Sequence, residues 1–373
     1  MSPPRGLATV WRIGIACHRS RGIAAGLAAA LLVLAAGADA VGKPWLPERN
    51  KRYHGVSSTG DDGGFKDFRR QVRAHPPVLQ EFFHWDVSLT ASGAVRRWER
   101  NDTLGMVSLS TKLPASGNPH ISTKSIARGN GDRYILRYNE VLGQLRHPTY
   151  IRLFPEMNGH WNPYCAYNAS GSPRGSHNST RSFKRAWKRF VIITQGGKRG
   201  TINRRLRRNN MARMYRARGN NDPIYDREDV PRHLPKPKVA FIWVPQTIAS
   251  PNVRGNQAGR YWPGKAFVDW VGVDIFAKFQ SAFDNMQAFY NRYDDYPFMI
   301  GEWSPWDGDP GGRFTDRLFD WAEGHRRVRM LMYYRSVSIN TIYDIDHYPA
   351  ARRVLRRHLN KSTWDQWAKG TRD

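Results

Sequence analysis

Between residues 53 and 334 one pattern recurs eight times: a short run of β-branched and aromatic residues, followed by a helically spaced stretch or a loop. Such alternation argues for βα units and a parallel sheet, because parallel strands need long crossovers. The predicted strands are 53–58, 77–87, 103–110, 149–156, 238–245, 270–276, 297–303 and 329–334. Predicted helices cover 64–73, 93–100, 132–146, 182–194, 283–292, 314–325 and 350–359, and the fifth crossover reads mostly as loop. Eight such units are the count of a closed (β/α)8 TIM barrel. The alternative, an open doubly wound sheet, calls for a glycine-rich phosphate loop after the first strand. Ser57-Ser58-Thr59-Gly60 is not one.

Two segments stand outside this rhythm. Arg5, Arg12, Arg19 and Arg21 precede an apolar run over 22–38 that ends Ala38-Asp39-Ala40. A basic region, an apolar region and an A-x-A site describe a secretory signal peptide, so cleavage is expected near Ala40. The expected location is secreted or cell-surface, with no stable membrane span, since spanning takes roughly 20 apolar residues. Residues 41–373 then form the single barrel domain. The second segment, 196–237, is polar and arginine-rich and reads as an insertion before the fifth strand, part helix and part loop, with no core-forming period.

The net charge is +28, and 1–40 contribute four Arg and one Asp, leaving +25 on the rest. Sixteen Lys and Arg against four Asp and Glu lie between Arg181 and Leu234. This excess implies attraction to polyanions, and an anionic wall or matrix polymer is the expected partner. No nucleic-acid-binding module is recognisable. Cys165 is the only cysteine after residue 40, which leaves no intrachain disulfide and no cysteine-based metal site there. HExxH, P-loop and spaced histidine clusters are absent from the sequence, and no cofactor is expected.

Catalytic groups in such a barrel come from the C-terminal ends of strands. Alternation puts Tyr150, Arg152, Phe154 and Glu156 on one face of the fourth strand, and Phe298, Ile300 and Glu302 on one face of the seventh. Glu156 and Glu302 are therefore expected at one central pocket, their carboxyl groups roughly 5–5.5 Å apart. Two facing carboxylates are what glycoside hydrolysis needs: one protonated to donate, one ionised to attack. Repulsion between them helps raise the acid's pKa. Trp161 and Tyr164 follow the first glutamate, and Trp303 and Trp306 the second, rings that can stack on sugars. Further candidates are His84 and Asp86 after the second strand, His160, Asp274 beside Phe276 on the sixth, and Tyr334 at the end of the eighth.

The segments RLFPEMNGHWNPY (152–164), YWPGKAFVDWVGVDIF (261–276) and FMIGEWS (298–304) resemble glycoside hydrolase family 26, the β-mannanase-like enzymes. That resemblance covers essentially all of 41–373. It implies a retaining endo-β-glycosidase acting on a β-linked polysaccharide such as mannan, glucan or xylan. Glu156 matches the acid/base and Glu302 the nucleophile, while Asn158, Trp161 and Trp262 match positions around the cleft. Two positions depart from the family pattern. Pro155 stands where the mannanases usually have His, and Phe276 where a Tyr hydrogen-bonds the nucleophile. Such departures also fit a catalytically weak, carbohydrate-binding relative with the same barrel.

Overall fold

The computed structural model describes residues 45–57, 62–113, 120–214, 230–336 and 341–371. The expected signal peptide, 1–40, lies outside the described residues, as does the middle of the insertion, 215–229. No helix among the described residues is long and apolar enough to cross a membrane.

Eight parallel strands close into a barrel: β1 (Arg52–Ser57), β2 (Val78–Phe83), β3 (Leu104–Leu109), β4 (Thr149–Leu153), β5 (Val239–Trp243), β6 (Trp270–Phe276), β7 (Phe298–Ser304) and β8 (Val328–Tyr333). Each pairs with its sequence neighbour, and β8 closes on β1 with Tyr53 opposite Met330. Around the wall lie α1 (Asp62–Val72), α2 (Ala94–Arg100), α3 (Thr123–Arg128), α4 (Asp132–Gln144), α5 (Thr180–Thr194), α6 (Arg199–Arg208), α7 (Gln280–Asp284), α8 (Met286–Arg292), α9 (Arg313–Gly324) and α10 (Pro349–Leu359). The fifth crossover is built from short 3-10 turns and loop, as its sequence suggested.

Strand alternation sorts the core into two bodies. Inside the barrel, Tyr53, Val78, Leu104, Met106, Tyr150, Ala240, Ile242, Trp270, Met299 and Met330 fill the lower layers. The alternate residues, among them Leu79, Val107, Ile151, Phe241, Val273 and Tyr333, face the helices in a larger cluster. Above the apolar plug the inward positions turn polar: Gln80, Ser108, Arg152, Asp274 and Glu302 are all buried.

The insertion does contain a core-forming period, contrary to expectation. Ile202 and Leu206 sit one helical turn apart on α6 and are buried, together with Met211, Met214, Val230 and Leu234. Arginines on the other positions of α6 hide this i, i+4 spacing from a reading of composition. Gly197 and Lys198 pair antiparallel with Leu234 and His233, fastening the two ends of the insertion to each other.

Candidate active site

Alternation alone misplaces both glutamates' neighbours, for two local reasons. After β4 the chain turns at Phe154 (φ 44°) and again at Glu156 (φ 51°), both left-handed. Phe154 therefore faces the helices and packs against Trp85 and Tyr164, not into the barrel beside Arg152. Glu156 is returned to the mouth of the barrel, its amide donating to Val244 O at 2.7 Å. On β7, Phe298 and Ile300 likewise face the helices. Pairing with β6 steps from Ile300 to Glu302 while β6 steps only from Val273 to Asp274, so Gly301 is an extra residue in a β-bulge. The bulge re-aims Glu302 into the barrel.

The result is one cluster of three carboxylates. One oxygen each of Glu156, Asp274 and Glu302 lies within 4.8 Å of the others. Such a set has the spacing to hold a cation, and the guanidinium of Arg152 supplies one. Fully buried, Arg152 donates through Nη1 to Glu302 Oε1 and through Nη2 to Asp274 Oδ2. Burial opposes its charge, but Asp274, Glu302 and Glu156 more than offset this and raise its pKa. Burial raises the Glu302 carboxyl above its ordinary range, against the pull of Arg152. Asp274, also buried, is pushed well above that range. Gln80 adds a long donor contact to Glu302 Oε1 at 3.5 Å.

Glu156 is held from the other side. Trp161 Nε1 donates to its Oε2 at 2.8 Å, and Gln246 Nε2 donates to its Oε1. Asn158, fully buried, fixes Gln246 through both backbone groups: Asn158 Nδ2 donates to Gln246 O at 3.0 Å, and Gln246 N to Asn158 Oδ1 at 2.8 Å. Asn158 thus acts through Gln246 and does not face the cleft itself. His160 is clasped by Ser250, its amide donating to Ser250 O at 2.7 Å and its ring Nδ1 lying 3.1 Å from Ser250 Oγ.

An aromatic wall rises beside Glu302. Tyr334, expected here, is half-buried and meets Phe276, Phe82 and Tyr343 edge-on. Its hydroxyl is raised to about 12 by burial and then by the charge of Glu302. Trp306 packs edge-on against Phe276 and Phe279. Trp161, Phe82 and Phe279 keep large exposed faces.

Several expectations are corrected. Trp303 is buried among the helices against Phe319 and Tyr333, because the bulge that turns Glu302 inward turns its successor outward. Tyr164 is buried too, and its hydroxyl braces the turn by donating to Pro155 O at 2.6 Å. Trp262 is partly buried and packs with Trp243, Tyr293 and Tyr296 in the outer aromatic layer. His84 is exposed at the end of β2, and Gln80, not His84, reaches Glu302. Partial desolvation of its ring and then the charge of Lys112 lower the His84 pKa. Asp86 turns aside at φ 69° to pair with Arg137 at 2.6 Å.

Sequence reading missed Gln80 and Gln246. Gln80 shares the inward phase of Val78, two residues before it, so the signal was present. Gln246 lies three residues beyond β5, where alternation no longer applies.

No protein-family model matches the sequence, and no curated protein matches it either. Solved structures do match its fold. The chain is similar to the YdhT protein of Bacillus subtilis (14% identity, TM-score 0.54, covering 86% of this chain and 88% of that one). It is also similar to the Bacillus subtilis mannanase BCman (13%, TM-score 0.53, covering 85% and 87%). A third likeness is to a modular endo-β-1,4-mannanase of glycoside hydrolase family 26 from Cellulomonas fimi (11%, TM-score 0.57, covering 88% and 76%). At these identities the likeness is one of fold: the (β/α)8 barrel of this chain is the barrel seen in family 26 mannanases.

Proposed function

We propose that the protein is a retaining endo-β-glycosidase of the family 26 type, with a mannan-like β-linked polysaccharide as substrate. One observation carries this reading: oxygens of Glu156 and Glu302 lie within 4.8 Å at the mouth where a barrel of this kind does its chemistry. Glu156 protonates the leaving glycosidic oxygen while the Glu302 carboxylate attacks the anomeric carbon and forms a glycosyl ester. In the second step Glu156 takes a proton from water, and the water's oxygen displaces Glu302. Arg152 aims Glu302 and opposes the effect of burial on its charge, and the donors Trp161 and Gln246 fix the Glu156 carboxyl. Exposed faces of Trp161, Phe82 and Phe279 offer platforms for sugar rings. The mannanases with the same barrel support the choice of substrate class.

The proposal includes export, with 1–40 removed near Ala40, and attraction of the strongly basic chain to an acidic wall or matrix polymer. The test is product analysis on soluble β-mannan, β-glucan and xylan, with the anomeric configuration of the first product followed by NMR. Release of reducing ends with retained configuration, abolished in Glu302→Ala, is expected. Equal release by wild type and Glu302→Ala would overturn the reading.

A further inference from the structure

The long connection from β4 to α5 carries Glu156 near its start, and its far end forms one wall of a second concavity. This groove encloses about 400 Å³ between α3, the start of α5 and the turn 210–212. Four cations line it: Lys124 and Arg128 from α3, and Arg181 and Arg185 from α5. Ser176, Ser179 and Ser182 supply hydroxyls, and no carboxylate and no aromatic ring lines it among the described residues. Lys124 Nζ donates to Ser176 Oγ at 2.9 Å and Arg185 to Asn210 O, so two cations brace the walls. Arg128 and Arg181 are exposed. Three other exposed arginines do meet carboxylates: Arg100 pairs with Asp62, Arg137 with Asp86 and Arg357 with Asp316. Four like charges around one open volume repel, and an anion in that volume relieves the repulsion.

We propose that this groove binds the acidic groups of a polysaccharide, sulfate esters or uronate carboxylates, at a site separate from the carboxylate cleft. The assignment of the polymer as a glycan rests on the function proposed above. The chemistry of the groove suits it: arginine forks and hydroxyls match tetrahedral or planar oxyanions. Bases of a single-stranded nucleic acid would find no ring to stack on. A neutral chain would gain nothing from the four charges. Polymer held here would lie against residues 176–182, at the end of the connection opposite Glu156.

The experiment compares the full chain with Arg128→Glu/Arg181→Glu and with a control of equal charge change, Arg326→Glu/Arg353→Glu, exposed on the α9–α10 side. Binding to dextran sulfate, polygalacturonate and duplex DNA is measured at fixed ionic strength, with hydrolysis of neutral soluble β-mannan alongside. The groove variant should lose roughly tenfold in affinity for at least one of the two glycans, and the control much less. The glycan with the greater loss identifies the acidic group. Equal losses in both variants, or no loss in either, would overturn the site. A greater loss on DNA than on both glycans would overturn the glycan assignment. Mannan hydrolysis should match wild type in both variants. A chain that hydrolyses nothing but shows the selective loss would refute the enzyme reading and leave the groove standing.

Discussion

Trp161 donates its indole N–H to Glu156 Oε2 at 2.8 Å while its ring stays half exposed. One side chain is thus placed both to hold the acid/base and to meet a sugar. Trp161→Phe keeps a ring and removes the donor. We expect kcat to fall roughly ten- to hundredfold, the worth of one hydrogen bond to a charged group, with little change in KM. Gln246→Ala, which removes the donor to the other oxygen, should act in the same direction. A rise in KM at unchanged kcat for Trp161→Phe would show that the indole serves only as a platform.

Gly301 has no room for a side chain. A Cβ there would lie 2.7 Å from Asp274 Oδ1 and 3.1 Å from Arg152 Nε and Val244 Cγ1. Gly301→Ala should therefore cost about 1–3 kcal/mol of stability through overpacking. It should also displace the Arg152 and Asp274 groups that position Glu302. Thermal unfolding and kcat measured well below Tm separate the two effects. Activity should fall by more than the folded fraction does.

Phe276 packs edge-on against Trp306 and Tyr334 at 5.3 and 5.8 Å and offers no hydroxyl toward Glu302. Arg152 and Gln80 supply the donors instead. Phe276→Tyr should leave kcat/KM equal or raise it, by no more than the ~1.5–3 kcal/mol of one charged hydrogen bond. A large loss would mean that the apolar edge itself shapes the cleft for substrate.

Asp269 is buried, and burial lifts its carboxyl to about 7 although Phe241 N donates to it at 2.8 Å. A raised folded pKa means that the native state holds the proton longer than the unfolded chain. Its contribution to stability is therefore full below the ordinary carboxylate range and fades as pH rises from about 4 through 7. His54 works in the opposite sense. Burial lowers it to about 3, so its contribution is lost as pH falls below 6.5. Subtracting wild type from Asp269→Asn cancels the His54 effect. The Tm difference, variant minus wild type, should become more positive between about pH 4.5 and pH 7.5. A flat difference would show that Asp269 does not titrate in that window.

The barrel was legible because its strands, β7 beyond Ile300 excepted, obey a two-residue period against a helix-facing core. Val78, Met106, Tyr150, Ile242 and Met330 point inward, and their neighbours Leu79, Val107, Ile151, Phe241 and Leu331 point outward. The two terminal glutamates were legible as the acidic ends of such strands. What alternation does not encode is a backbone that departs from it. Left-handed turns at Phe154 and Glu156 and the extra residue at Gly301 each move side chains to the opposite face. Phe298 and Ile300 were misassigned for that reason, and Trp303 and Tyr164 because a ring near an acid in sequence need not share its cavity. Gln246 escaped notice because its partner Asn158 lies 88 residues away in the chain.

The bulge on β7 gives that strand two consecutive positions on the inner face, Gly301 and Glu302. Against both β6 and β8 the pairing of β7 runs one residue long between Ile300 and Trp303. A strand lacking Gly301 would keep a plain two-residue period, with Ile300 outward and Glu302 inward, still opposite Asp274. Such a strand would aim the carboxylate just as well. What it would lose is a stretch of backbone without a side chain, and the Arg152 guanidinium is packed against that stretch. The irregularity therefore serves the cation more than the acid: it opens a slot in the barrel wall where a buried positive charge can lie between two carboxylates.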